Sequence, residues 1–160
     1  MGRSTRATKA LEAARVAFTV HEYDYDPGAD RVGLQAAEAL GEAPARVLKT
    51  LMVLVDGQPA CAILASDREL SMKKLAAALG GKAAAMMPPH DAERITGYKV
   101  GGISPFGQTR VTRFVLDAAA AAHELVFVNA GQRGLQVRLS PGDAAAALRA
   151  KVADVHAGAG

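Results

Sequence analysis

One cysteine, no tryptophan and an aromatic content of 4% set the first limits on what this chain of 160 residues can do. A lone Cys61 excludes an internal disulfide and a cysteine-based zinc site. It lies in the apolar run Ala60-Cys61-Ala62-Ile63-Leu64, where a thiol packs as a small hydrophobe rather than serving as a nucleophile. The scarcity of aromatic rings argues against a single-strand nucleic-acid binder of the usual kind, which stacks successive bases on such rings. A secretory leader and an apolar run of about 20 residues are both missing, so the expected location is cytoplasmic, with no membrane partner. Basic residues barely outnumber acidic ones, 19 against 16, for a net charge of +3. Such a surface permits contact with a polyanion without demanding it.

The familiar catalytic signatures are also missing. His21, His90, His123 and His156 show no ligand spacing with one another or with a carboxylate, so no metal and no cofactor is expected. There is no nucleophile elbow. The Gly101-Gly102 pair lacks the Gly-Lys-Ser/Thr ending of a phosphate-binding loop.

What is present is half apolar, much of it alanine, so the core falls to Leu, Val, Ile and Ala. The length suits one domain over 1–160, with its core at about 5–153, large enough to close without disulfides or metals. Thr5 can cap a first helix carrying Ala7, Ala10, Leu11 and Ala14 at helical spacing. Phe18 to Tyr25 alternates as a strand ended by Asp26-Pro27-Gly28, with His21, Tyr23 and Tyr25 on one face. Leu34 to Leu40 reads as a helix closed by Gly41, and Pro44 suits the first turn of another. Val47 to Val55 and Ala60 to Ala65 form a hairpin around Asp56-Gly57. Ser71 caps a helix through Leu79, and Asp91 caps a shorter one from Ala92 to Thr96. Strands follow near 111–116, 125–129 and 135–139. Ser140 then caps a last helix whose buried stripe is Leu148, Val152 and Val155. Hairpins with scattered helices predict an α+β fold with a mixed, largely antiparallel sheet, partly barrel-like and surrounded by helices.

Two features carry chemistry. Gly101-Gly102-Ile103-Ser104-Pro105-Phe106-Gly107-Gln108 puts three glycines and a proline into eight residues. Glycine admits close approach of a ligand, and Pro105 pushes Ser104 out of the helical region. This is material for a rigid cradle of backbone amides. Lys49 is the other feature, an ammonium on an otherwise apolar strand. It reads equally as a phosphate- or carbonyl-binding cation and as a lysine at the strand's mouth reaching for water.

These residues, in order with Tyr23-Asp24-Tyr25-Asp26-Pro27, Val47-Leu48-Lys49-Thr50-Leu51, Thr96-Gly97-Tyr98 and Gly131-Gln132-Arg133-Gly134-Leu135, resemble the YbaK/EbsC family of aminoacyl-tRNA deacylases. That family is related to the editing insertion of bacterial prolyl-tRNA synthetase, and the likeness covers roughly residues 5–153. The resemblance implies trans hydrolysis of mischarged Cys-tRNA(Pro), in which the substrate's own thiol attacks its ester and no protein nucleophile or metal is needed. It implies mischarged tRNA(Pro) as partner, with prolyl-tRNA synthetase a second one and no DNA. Lys49 and Gly101 correspond to the catalytic positions. Tyr23, Thr50, Gly102, Ile103, Ser104, Pro105, Asn129 and Gln136 correspond to the substrate pocket. Thr50 favours the cysteine-directed branch, since alanine-directed relatives carry asparagine after the lysine. Asn129 and Gln136 depart from the serine and aspartate of well-known members. Two other readings follow: deacylation of another small amino acid such as alanine, and a non-catalytic module that docks on tRNA or the synthetase.

Overall fold

The computed structural model describes residues 4–26 and 32–158. The turn expected at Asp26-Pro27-Gly28 therefore falls mostly outside the described residues, as do the outermost positions of both chain ends. Helix α1 (Arg6–Ala13) leads to strand β1 (Thr19–Glu22), and α2 (Val32–Leu40) to a short 3-10 turn (Pro44–Arg46). The hairpin β2 (Leu48–Val55) and β3 (Gln58–Ala65) follows, then α3 (Met72–Ala78), β4 (Ala84–Met86) and α4 (Pro89–Thr96). After a long glycine-rich loop come β5 (Arg113–Asp117), α5 (Ala118–Ala121), β6 (Val126–Asn129), β7 (Leu135–Leu139), α6 (Pro141–Leu148) and β8 (Lys151–Ala153).

The strands form a five-stranded sheet in the order β4-β2-β3-β5-β8 and a three-stranded sheet in the order β1-β7-β6. Pairing is antiparallel except at β3–β5 and β5–β8. The α+β class and the mixed, largely antiparallel pairing are as expected. Barrel-like closure is not reached: the sheets meet through one parallel bridge, Val47 to Phe127.

Alternation along the hairpin divides the core. Leu48, Met52, Cys61 and Ile63 face the smaller sheet and pack with Val126, Val128, Leu135 and Val137. Val53, Val55, Ala60 and Ala62 face the other way, against Leu75 of α3 and Val115. With both faces covered, β3 is apolar almost throughout. The α1 cap forms as expected: the Thr5 hydroxyl accepts from the Thr8 amide at 3.1 Å. It also donates to the Ala130 carbonyl at 2.6 Å, tying the helix to the end of β6.

Several boundaries differ from the expectation. The first strand stops at Glu22, and its pairing with β7 closes on the Tyr23 amide, which donates to the Gly134 carbonyl at 2.9 Å. Asp91 does not cap α4; it sits in its first turn, and the helix starts at Pro89, where a proline's missing N–H costs nothing. The last helix ends at Leu148, where Arg149 turns left-handed at φ 53° and the Ala150 amide returns to Ala145. Residues 151–153 then become β8 beside β5. Val152 is consequently exposed, and Val155 is buried in the α3 cluster rather than on a helical stripe.

Cys61 is wholly buried, and desolvation pushes its thiol up to about 12. The native protein is therefore expected to resist alkylation at pH 8 and to react on unfolding, checked by mass after iodoacetamide treatment. Between the unfolded thiol's ordinary value near 9 and the folded one, the unfolded state holds fewer protons. Cys61's contribution to stability is thus fully present below pH 9 and falls as pH rises.

Candidate functional site

Strand β2 is only partly covered along its outer edge. β4 pairs with Val53–Val55 alone, and the Met87 amide donates to the Met52 carbonyl at 3.1 Å. At the other end β6 meets the chain at Val47. Between these neighbours the stretch Lys49–Met52 opens into a cleft of about 540 Å³. Antiparallel strands direct the backbone groups of alternate residues to the same edge. Because the Met52 carbonyl faces outward, the N–H and C=O of Thr50 do so too, where no described strand pairs with them.

Apolar side chains, among them Leu51, Met52, Met86, Met87 and Ile103, make up much of the cleft wall. The polar groups are few and grouped: Lys49 and Thr50 from β2, with Asn129 and Gln136 from the facing ends of β6 and β7. Asp67, Arg68 and Glu69 form an exposed rim. The Thr50 hydroxyl and the Gln136 amide oxygen are buried with no hydrogen-bond partner. Leaving a buried polar atom unpaired costs roughly 1–3 kcal/mol. The Thr50 hydroxyl can therefore bond a polar group entering the cleft, while the Gln136 amide also neighbours the Tyr23 hydroxyl.

The glycine loop forms another part of the wall, but only through its first residues. Val100, Gly101 and Ile103 line the cleft. The rest is anchored into the core: the Tyr98 hydroxyl donates to the Phe106 carbonyl at 2.6 Å. The Gln108 amide donates to the Ser104 carbonyl at 3.0 Å. Ser104 is completely buried, and its hydroxyl accepts from the Phe106 amide. Pro105 faces a small internal void between Leu48, Leu116 and Val126. Gly102 lies against the β6–β7 turn, where an added Cβ would stand 2.8 Å from the Arg133 nitrogen. Of the residues expected at the pocket, Lys49, Thr50, Gly101, Ile103, Asn129 and Gln136 come together there. Gly102, Ser104 and Pro105 support the wall from behind instead of lining the cleft.

Tyr23 is also absent from the cleft lining. Its ring packs with Ala36, Ala37, Val47 and Phe127, and it borders a separate groove with Tyr25 and Arg133. Burial raises its phenol above the ordinary value, partly offset by the nearby Gln136 amide. The hydroxyl stays neutral and, among the described residues, unbonded. Asn129 has a structural duty: its side-chain amide donates to the Gly101 carbonyl at 3.3 Å, and its oxygen accepts from the Gly131 amide at 2.7 Å. It ties the glycine loop to the β6–β7 turn.

Sequence reasoning missed the walls built by Met86, Met87 and the Asp67–Glu69 rim. The Met86-Met87 pair in an alanine-rich stretch was the available signal, since methionine adapts to varied contacts. It also missed a histidine–carboxylate pair away from the cleft. His156 Nδ1 lies 2.8 Å from Asp117 Oδ2, and Asp154 stands 3.4 Å off. The pairing spans 39 residues and is invisible to spacing arguments. Protein donors already serve these carboxylates, Val155 N–H on Asp117 and Lys74 on Asp154.

Residues 26–147 match the family profile of the aminoacyl-tRNA editing domain. The chain belongs to that family. An Enterococcus faecalis protein named "Putative Cys-tRNA(Pro)/Cys-tRNA(Cys) deacylase EbsC" is 33% identical over 141 residues, 87% of this chain and 85% of that protein. A segment of the proline–tRNA ligase of Nitratidesulfovibrio vulgaris strain DP4 is 34% identical over 91 residues, covering 57% of this chain and 16% of the ligase. Among solved structures, one described as "a putative trans-editing enzyme for prolyl tRNA synthetase" superposes with a TM-score of 0.80 over 96% of both chains. At 22% identity that likeness speaks for the fold. In this editing domain the β2 edge and the first residues of the glycine loop both line the cleft. No described helix is long and apolar enough to cross a membrane.

Proposed function

We propose that this editing domain deacylates mischarged Cys-tRNA(Pro) in trans. The observation that carries the reading is the convergence of Lys49, the Thr50 edge and the Gly101 wall on one cleft. The aminoacyl ester lies between the β2 edge and Gly101, with the amino-acid side chain among Leu51, Met86 and Ile103. The substrate's thiol, as thiolate, attacks its own carbonyl carbon. The carbon–sulfur bond forms, the bond to the ribose oxygen breaks, and that oxygen takes up, by way of water, the proton the thiol gave up and leaves as the free hydroxyl of the tRNA. The product is a cyclic thiolactone. For this step the protein must orient the reactants and stabilise charge growing on the carbonyl and leaving oxygens. Lys49 supplies the positive charge, and the Thr50 hydroxyl and backbone supply hydrogen bonds to the amino-acid moiety. Gly101 allows the close approach of the ester.

Chemistry dependent on the substrate's own thiol separates this reading from deacylation of alanine. In a panel of Cys-, Ala- and Pro-tRNA(Pro), Cys-tRNA(Pro) is expected to lose its amino acid at least about tenfold faster than either other substrate. Faster loss of alanine would transfer the assignment to Ala-tRNA(Pro). Loss of cysteine no faster than in buffer would overturn the enzymatic reading in favour of a binding module.

A further inference from the structure

Asp117 closes β5 and opens α5, the place where an aspartate ordinarily holds the first amides of its helix. Its carboxylate makes no such bond. It is wholly buried and serves the C-terminal segment instead. Oδ1 accepts from the Val155 amide at 2.9 Å, and Oδ2 lies 2.8 Å from His156 Nδ1. A carboxylate only accepts, so the second contact places a proton on that ring nitrogen. Burying a charge is costly unless it is paired and hydrogen-bonded, and both partners here belong to the tail. The cap is given up for contacts 38 and 39 residues away along the chain.

The tail passes this hold on to the cleft. The Ser71 amide donates to the Val155 carbonyl at 2.8 Å and the Ala157 amide to the Glu69 carbonyl at 2.7 Å, and His156 pairs antiparallel with Leu70. Lys74 of α3 donates to the His156 carbonyl at 3.0 Å and pairs with Asp154. Glu69 ends the Asp67–Glu69 rim, whose three residues all line the main cleft. At the other end of the rim, Ser66 donates its amide to the Val47 carbonyl at 2.9 Å and its hydroxyl to the Pro44 carbonyl at 3.0 Å. The exposed rim thus spans two anchors, and the tail builds the second. Residues 154–157 lie beyond the 26–147 stretch that matches the editing-domain profile, so the match itself supplies no such contact.

We propose that Asp117 and His156 are positioning residues for the cleft, holding the Asp67–Glu69 rim in place through residues 154–157. The hold stands on the bonds just given; its effect on turnover rests on the deacylase reading. A rim that is ordered before its substrate arrives loses less freedom on binding, and its cation, Arg68, is already fixed at the cleft. The ester lies between the β2 edge and Gly101. Among the described residues the tail shares no backbone hydrogen bond with either. Loosening the tail therefore weakens substrate binding and leaves the chemical step alone, which raises KM at constant kcat.

The test compares the full chain with His156→Ala and with His156→Asn, whose amide can return an N–H to the neighbourhood of Nδ1. In His156→Ala, the Ser71 and Ala157 amides are expected to exchange with solvent at least about tenfold faster. Amides of the β2–β3 hairpin should keep their parent rates, which shows that the variant folds. KM for Cys-tRNA(Pro) should rise at least about threefold, with kcat within about twofold of the parent. His156→Asn should recover part of both effects. Lys74→Met loosens the same segment from α3 and should act in the same direction. In an Arg68→Ala background most of the KM effect of His156→Ala should vanish, because both changes act through one rim. Unchanged exchange at Ser71 and Ala157 overturns the hold. Faster exchange with unchanged KM, or a KM effect that simply adds to that of Arg68→Ala, overturns the positioning role. A parent chain that never deacylates Cys-tRNA(Pro) sinks the proposed reaction instead, and the exchange rates still decide the hold.

Discussion

Replacing Lys49 with alanine is expected to lower kcat/KM for Cys-tRNA(Pro) by at least about 100-fold, roughly 2.7 kcal/mol of transition-state stabilisation. The loss follows from where the charge develops. Displacement at an ester carbonyl puts negative charge on the carbonyl oxygen and then on the departing ribose oxygen. Two cationic side chains line the cleft, Lys49 on the β2 edge and Arg68 on its exposed rim. The half-buried one acts with less screening from water. Stability should change little, by about 1 kcal/mol or less, because a partly exposed side chain is removed and no core void is opened. Lys49→Arg keeps the charge but brings a planar fork in place of a compact ammonium. Its activity is expected between those of the parent and the alanine variant. Single-turnover deacylation of preformed Cys-tRNA(Pro), with thermal melting alongside, decides the matter. An alanine variant within threefold of the parent removes Lys49 from the reaction.

The same lysine shows what could be read from the chain. An ammonium among apolar residues conflicts with the surrounding strand pattern, and such local conflicts mark functional positions. The β2–β3 hairpin was equally legible, because Asp56-Gly57 and the alternation around it agree. The glycine loop was legible as an unusual path but not in its direction. Which residues face the cleft is decided by anchors such as Tyr98 on Phe106 and Gln108 on Ser104. These turn Ser104 and Pro105 inward and leave Gly101 and Ile103 at the surface of the cleft. Strands β4 and β8 are three residues each and include alanines, whose weak strand preference gave no signal. They form because neighbouring strands offer them an edge. Asn129 stood out as a departure at a pocket position; the fold shows it also holding Gly101 in place.

Gly101→Ala is expected to reduce deacylation at least about tenfold, through geometry rather than loss of a functional group. Gly101 has φ +92°, a conformation that residues with a side chain rarely adopt. Adding a methyl group there costs roughly 1–2 kcal/mol in backbone strain and drives the new carbon against the Tyr25 hydroxyl at 2.7 Å. The loop must move, and the Val100–Gly101 partition moves with it. Gly41→Ala separates the two contributions: φ is +69° at that glycine, and nothing lies within 4 Å of the added carbon. It should lower the melting temperature while leaving kcat/KM unchanged. Combining Gly101→Ala with Tyr25→Phe removes the oxygen that the new methyl meets most closely, leaving Arg133 Nε at 3.2 Å and the ring carbon Cζ at 3.4 Å. Part of the lost activity should return in the double variant, although its backbone strain is undiminished. Equal activity in the single and double variants would mean that strain at Gly101, and not contact across the partition, sets the position of the wall.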